Sequence, residues 1–208
     1  ILKKIINSGE LGQFLYIYST RVNLGQVRLE ENALWSLAPH DVSVVLYLLD
    51  KMPVEVATRG ESYLQKGIED VIFMSLKFKN KTLSNIHVSW LDPHKMRKFT
   101  IVGSKKMAVF DDMEPADKIK IYDKGVDRKT DYNYETFFSI REGDIHIPRI
   151  RLVEPLRVEC QHFVDSILNK KRPLTDGYNG LKVLSVLEAA QESLRRSGMP
   201  VKVKRNIR

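Results

Sequence analysis

The sequence has almost no cysteine, and its apolar residues never form a long uninterrupted run. Cys160 is the one cysteine among 208 residues, so an internal disulfide cannot form. This composition is typical of a reducing compartment, and we therefore expect a cytoplasmic protein. No apolar segment approaches the roughly 20 residues that a membrane-spanning helix needs, and the first residues lack the pattern of a signal peptide. We expect no membrane partner.

The short motifs that bind nucleotides, phosphates or metal ions are also missing. The sequence contains no G-x-G-x-x-G, no P-loop, no H-E-x-x-H and no paired cysteines. Its five histidines are scattered without metal-ligand spacing, so we expect no metal site. A dinucleotide therefore has no recognisable binding loop in this chain.

Positive charge exceeds negative charge, but the basic residues are dispersed. The chain has 34 Lys and Arg against 26 Asp and Glu, which gives a formal net charge of +8. Such a balance can indicate nucleic acid or an anionic ligand. The densest basic cluster is the C-terminal segment 201–208. Because no nucleic-acid-binding motif accompanies these charges, we interpret them as solvated surface and expect no nucleic-acid partner.

Hydrophobic periodicity predicts one domain over residues 1–200, followed by a basic C-terminal tail over residues 201–208. The opening residues read as the last turns of a helix that Gly9 ends, which suggests that the chain was cut out of something longer. A strand is predicted over residues 14–22 and a loop over residues 24–34.

The predicted strand places residues of alternating sequence position on one face. That face is apolar at its start and polar at its end. It consists of Leu15, Ile17, Ser19, Arg21 and Asn23. The switch marks either a ligand site at the end of the strand or the point where the strand leaves the core, and the pattern favours neither.

A helix is predicted from Pro39 to Leu49. Pro39 suits a first helical position and Asp41 suits the positive end of the helix dipole. His40 would then lie in the first turn, where an anion is favoured and an imidazole could act as a general base. Spacing alone favours a structural histidine that bonds a neighbouring loop. The predicted buried stripe is Val42, Val45, Leu46 and Leu49.

The remaining pattern predicts many short strands and then two helices. Strands over residues 72–78 and 86–90, a hairpin around Gly103 and a strand over residues 119–122 have short connections, which favour antiparallel pairing. One closing helix begins at Pro155 and carries Cys160 on its apolar stripe, where we expect a buried thiol. Asp176 caps the other. This order predicts a two-layer α+β domain, with an open, mostly antiparallel sheet and helices on one face.

Several segments, in this order, resemble the glucose–fructose oxidoreductase / inositol dehydrogenase family (Gfo/Idh/MocA). The run from Asn32 to Val44 is similar to the family's signature helix, and Gly9-Glu-Leu-Gly12 before a strand is similar to the entry into its C-terminal domain. Residues 88–97 and 102–112 resemble the branch that acts on nucleotide-linked sugars. The closing helices, with Glu154-Pro-Leu and Pro173-Leu-Thr-Asp-Gly177, also resemble those of the family.

The resemblance implies an oxidoreductase with two domains, of which this chain matches the second. The first is a Rossmann domain that binds NAD or NADP and carries a catalytic lysine, and it is missing from this chain. The second binds substrate and pairs subunits. The resemblance therefore implies the substrate-binding and oligomerisation domain of a sugar dehydrogenase acting on a nucleotide-linked sugar, with a homo-oligomer formed through the sheet face. It identifies no cofactor-binding residue here.

Carried over by position, His40 resembles the family's catalytic histidine, which handles the proton of the hydroxyl being oxidised. Ser36 stands where many members have an aspartate, four residues before that histidine, so we assign it no proton-transfer role. The substrate-binding candidates are Arg21, Asn23, Trp35, Ser36, Lys95 and Arg97. Arginine and lysine suit phosphate or carboxylate groups of a substrate.

A second hypothesis is a non-catalytic module that kept the fold for oligomerisation or anion binding. Ser36 and the missing Rossmann domain favour it. The native reading frame separates the two hypotheses, because about 120 or more upstream residues with a glycine fingerprint would favour the enzyme.

Overall fold

A computed structural model describes residues 1–130 and 136–204 of the chain. Residues 131–135 and 205–208 lie outside the described residues. The segment 205–208 belongs to the expected basic tail. The elements are α1 (Leu2–Asn7), β1 (Phe14–Val22), α2 (Ala33–Leu49), β2 (Glu55–Glu61), β3 (Val71–Lys77), β4 (Leu83–Ser89), β5 (Met96–Gly103), β6 (Met107–Asp111), β7 (Ile119–Thr130), β8 (Thr136–His146), α3 (Pro155–Leu168), α4 (Gly177–Arg195) and β9 (Val201–Lys202).

One nine-stranded sheet runs through the described residues. The strand order is β8-β7-β6-β5-β1-β4-β3-β2-β9. The central strand β1 pairs in parallel with β4 and antiparallel with β5, and the other described neighbours are antiparallel. The predicted open, mostly antiparallel sheet is confirmed, including the hairpin around Gly103.

The hydrophobic core lies between this sheet and the helices α2 and α4. Both helices bury one apolar stripe against the strands, which removes it from water. The largest fully buried side chains include Ile17, Ile72, Ile86, Leu34, Val42 and Val45. The predicted two-layer α+β arrangement is therefore confirmed. Within the described part of the chain, no helix is both long enough and apolar enough to cross a bilayer.

Helix α2 begins earlier than predicted, which moves His40 away from the helix end. Asn32 is the N-cap residue, and its side chain accepts a hydrogen bond from the backbone of Trp35 at 3.3 Å. Pro39 lies inside the helix, where a proline costs about 3 kcal/mol because it removes a donor. Burial of Leu34 and neighbouring apolar residues offsets that cost.

The predicted place of His40 in a first turn is therefore wrong, and so is the helix-dipole role of Asp41. Counted from Ala33, His40 lies about two turns into α2, beyond the reach of the free N–H groups at the helix start. Asp41 is buried against the sheet instead of capping the helix.

Helix α3 begins at Pro155 as predicted, but its apolar stripe is not buried. Leu156, Phe163 and Ile167 are each exposed by about three fifths, and Cys160 is also exposed. The prediction that Cys160 lies in the core is wrong, because none of the described elements covers this face of α3. A helical apolar stripe shows only that a helix needs a partner, and not that this chain contains it.

Two strands extend further than the sequence indicated. β7 runs to Thr130 and pairs with β8, although we predicted only a short strand over residues 119–122. Val201–Lys202, which we placed in the basic tail, form β9 and pair with β2. The side chain of Val203 is buried. The sheet therefore includes the first residues of that segment.

The face of the sheet opposite the helices carries exposed aromatic side chains. Tyr16 and Tyr18 of β1 stack on each other, with ring centroids 6.3 Å apart. Phe73 of β3 stacks on His87 of β4 at 4.4 Å. Tyr18 and Phe73 remain 44% and 57% exposed. Apolar surface of this kind on a sheet favours contact with another protein surface.

We predict that the chain self-associates through this open face. Replacing Phe73 and Tyr18 by glutamate should dissociate the oligomer, because buried carboxylates would lose their hydration. The fold should persist, because both side chains are already exposed within one chain. Analytical ultracentrifugation at high micromolar concentration measures the change.

Phe163→Glu provides the matched control, since it makes the same substitution on the exposed face of α3. A native chain that sediments as a clean monomer would contradict the prediction. So would dissociation by Phe163→Glu alone.

Candidate functional site

A cavity of about 170 Å³ opens where the end of β1 meets α2 and the loops that follow β1 and β4. Of the predicted site residues, six line it: Arg21, Asn23, Ser36, His40, Lys95 and Arg97. The remaining lining residues are Val22, Gly25, Gln26, Arg28, Leu37, Ser89 and Trp90. Residues far apart in the sequence therefore meet at one edge of the helix layer.

The register between β1 and β5 places two arginines side by side. Arg21 lies directly opposite Arg97 of the antiparallel strand β5, and opposed residues of such a pair project from the same face. The buried residues Ile17 and Ser19 of β1 show that this is the helix-facing side. The polar end of β1 therefore lies at the cavity, which supports the ligand-site interpretation of its pattern.

Four cationic side chains line the cavity, and none of the lining residues is acidic. Arg28 and Arg97 have carboxylate partners outside the lining, Glu31 at 3.8 Å and Asp112 at 3.6 Å. Lys95 forms no ion pair with any residue that the structure describes. The cavity is therefore electropositive, which favours an anionic group on a ligand.

His40 is solvent-accessible and lies between two cavities. A second, wider cavity of about 670 Å³ runs between α2 and α4, and both His40 and Arg21 line it as well. Partial burial lowers the pKa of His40, the nearby Arg21 and Arg97 lower it further, and Asp41 opposes them. An imidazole that is neutral near pH 7 can accept a proton.

A partly buried ion pair joins Arg21 to Asp41, the residue that follows His40 in α2. Nε of Arg21 donates a hydrogen bond to Oδ2 of Asp41, whose side chain is 1% exposed. Burial raises the pKa of Asp41, and the positive charge of Arg21 opposes that rise. The pair holds the guanidinium group of Arg21 between the sheet and α2.

Trp35 is the one predicted site residue that does not line either cavity. Its indole N–H donates to Oε1 of Gln191 at 2.8 Å, and its ring packs against the core. The amide of Asn32 donates to the same oxygen at 3.3 Å. These contacts join the start of α2 to α4.

Sequence reasoning missed the lining residues between β1 and α2, namely Gly25, Gln26 and Arg28. They lie in the segment assigned to a loop, where no periodicity identifies an inward-facing side chain. Only the charge of Arg28 was a signal. It also missed Asp41 as a partner of Arg21, because the helix boundary was misplaced.

The glycine-containing turn before β1 does not have the geometry of a pyrophosphate-binding loop. The turn that carries Gly9 and Gly12 precedes β1, and both residues have positive φ, 76° and 74°. A Cβ on Gly12 would lie 2.5 Å from Oγ of Ser104, so this glycine permits close packing of the chain and not the approach of a phosphate. The described residues also contain no cluster of three or more potential metal ligands.

Comparison with known proteins identifies relatives of the chain. The profile of the GFO/IDH/MocA C-terminal domain matches residues 1–109. No curated protein gives a significant sequence match. The solved structures named below share 15–19% identity with this chain, so their likeness shows the fold alone.

Three solved proteins illustrate the likeness. UDP-N-acetylglucosamine 3-dehydrogenase GnnA from Acidithiobacillus ferrooxidans superposes with a TM-score of 0.74 and 17% identity, over 93% of this chain and 57% of that one. Levoglucosan dehydrogenase in complex with NADH and L-sorbose gives 0.75 and 15%, over 98% and 62%. A probable dehydrogenase from Thermotoga maritima gives 0.71 and 19%, over 97% and 60%.

This chain thus spans about three fifths of the length of those proteins. The family profile covers more than half of the chain, since it extends over residues 1–109 of 208. The fold agrees with that of the solved dehydrogenases. The chain therefore belongs to the Gfo/Idh/MocA oxidoreductase family and contains its C-terminal domain.

Proposed function

We propose that this chain is the substrate-binding and oligomerisation domain of an NAD(P)-dependent oxidoreductase that oxidises a hydroxyl of a nucleotide-linked sugar. The observation that carries the proposal is one cavity in which a solvent-accessible histidine lies among four cations without an acidic residue in the lining. Proton removal and anion binding are the two tasks that this combination of side chains suits.

His40 is the general base of the proposed reaction. Its lowered pKa leaves the imidazole neutral near pH 7, so it can take the hydroxyl proton as the C–H bond breaks. Asn23, Ser36 and Ser89 supply neutral donors and acceptors around it. Ser36 binds substrate in this proposal and transfers no proton, because a serine hydroxyl does not titrate in the required range.

The cationic side chains of the cavity support the proposal of a phosphorylated substrate. The volume of the cavity, about 170 Å³, is smaller than the roughly 300–1,000 Å³ of typical ligand pockets. The sugar ring of the substrate would therefore lie inside the cavity, and its nucleotide part would lie outside. Arg28, Lys95 and Arg97 are exposed residues of the cavity lining, and they would bind the diphosphate of the substrate. The nucleotide-sugar substrate in the name of GnnA agrees with this proposal.

NAD(P) accepts the hydride when it is bound, and we propose that a domain outside this chain holds most of it. The lack of a phosphate-binding turn among the described residues supports this division. The exposed apolar face of α3 supports it too, because such a face needs cover from another surface. The bound NADH of levoglucosan dehydrogenase agrees with a nicotinamide cofactor.

We also propose a cytoplasmic, homo-oligomeric enzyme. The exposed free thiol of Cys160 suits a reducing compartment. The aromatic open face of the sheet supports pairing of subunits.

We expect His40→Asn to abolish most turnover in the full-length protein and to leave the fold unchanged. A positioned base contributes about 10²–10⁴-fold to the rate, whereas an exposed helical side chain contributes little to stability. The value of kcat should therefore fall by that factor, while KM changes much less. Steady-state kinetics and thermal melts measure both.

His146→Asn, an exposed histidine at the end of β8, provides the matched control and should behave as the native protein. A large drop in Tm for His40→Asn would identify a structural histidine. If the native full-length protein oxidises no sugar nucleotide and yet binds it, the cationic cavity serves the non-catalytic alternative.

We further expect the isolated chain to bind NAD(P) only weakly. The described residues contain no glycine-rich turn that could hold the pyrophosphate. Isothermal titration calorimetry should therefore detect no binding at micromolar cofactor. Micromolar or tighter affinity would contradict our assignment of the cofactor to another domain.

A further inference from the structure

Asp41 is the most deeply buried charge near the cavity, yet it does not line it. Its side chain is 1% exposed, and its Oδ1 has no hydrogen-bond partner among the described residues. The contact to Nε of Arg21 is the ion pair that offsets the loss of hydration. A buried ion pair is seldom more stable than apolar side chains of similar volume. Stability alone therefore gives no reason for this pair.

The contact to Asp41 uses only one side of the guanidinium group. Nε is engaged, and the described residues provide no further acceptor for Arg21, so its terminal N–H groups remain available. Arg21 lines both cavities that meet at His40. A guanidinium group held in this way presents donors in a fixed direction.

Helix geometry explains why His40 and Asp41 lie on different sides of α2. Successive residues of a helix point about 100° apart, so Asp41 faces the sheet while His40 remains accessible. Arg21 of β1 contacts Asp41 through Nε and lowers the pKa of His40. One charge pair thus connects the central strand, the helix and the imidazole.

We propose that Asp41 is a positioning residue that acts through Arg21, whose free N–H groups hold the substrate oxygen that His40 deprotonates. The inference rests on the proposed function and adds a residue to it. Asp41 itself touches no substrate. Its task is to keep the guanidinium group in one orientation, as partners of a catalytic side chain commonly do.

The charged groups around His40 determine how its titration responds. Arg21 lowers the pKa more strongly than Asp41 raises it, and Arg97 adds a smaller lowering. The charged residues that line the two cavities at His40 are Arg21, Arg28, Lys95, Arg97 and the α4 N-cap residue Asp176. Removing Asp41's charge should therefore lower the pKa of His40, and removing Arg21's charge should raise it.

Two variants of the full-length enzyme test the proposal. Asp41→Asn should lower kcat/KM by about 10-fold, a typical effect of losing an orienting partner, and should move the acid limb of its pH profile to lower pH. The double variant Asp41→Asn, Arg21→Gln should lower kcat/KM by about 100-fold, because the donors to the substrate oxygen are lost as well. Its acid limb should lie at higher pH than that of Asp41→Asn.

The double variant also separates positioning from folding. It leaves no unpaired charge in the interior, so its Tm should remain close to the native value. An exposed ion pair on α4, Arg196 with Glu192 at 2.7 Å, provides the control. The control double variant Arg196→Gln, Glu192→Gln should change neither kcat/KM nor the pH profile.

The results distinguish this inference from the proposed function. If kcat/KM stays within twofold of native and the acid limb does not move in either variant, while His40→Asn is inactive, Asp41 is structural and the inference is wrong. If His40→Asn also retains full activity, the proposed function itself fails. Opposite movements of the acid limb in the two variants would support the positioning role.

Discussion

The packing of α2 against the sheet fixes where His40 and Ser36 lie relative to Arg21 of the central strand β1. β1 is flanked by a parallel neighbour, β4, and an antiparallel neighbour, β5. The end of β1 therefore lies beside the end of β4 and the start of β5. The stripe of α2 that contains Val42 and Val45 is fully buried, which allows the helix only one rotation about its axis. That rotation leaves His40 accessible and buries Asp41. The site is therefore a consequence of core packing.

The same packing produces an uneven distribution of charge. Arg21 and Arg97 line the cavity, whereas their acidic partners Asp41 and Asp112 do not. A cavity with this arrangement favours an anion, and its cations add to the effect of burial in lowering the pKa of His40. The proposed anion binding and the proposed proton acceptance would therefore depend on one electrostatic arrangement.

Local patterns were sufficient for much of the architecture and for much of the candidate site. Alternating apolar residues identified the strands that form the sheet, and the cap at Asp176 identified the start of α4. The start of α2 was predicted too late because of Pro39, since the sequence pattern does not distinguish a proline inside a helix from one at its start. The predicted burial of Cys160 was wrong, because none of the described elements packs against the apolar stripe of α3.

The sequence by itself determined the fold class, the position of His40 on a helix and the family resemblance, because periodicity and short motifs are local properties. Only the tertiary structure decided which residues surround His40. Arg21, Ser36 and Arg97 meet because strand register and helix rotation bring distant segments together, while Trp35 turns toward Gln191. The pairing of Arg21 with Asp41 depends on both elements at once, so no single segment of the sequence contains it.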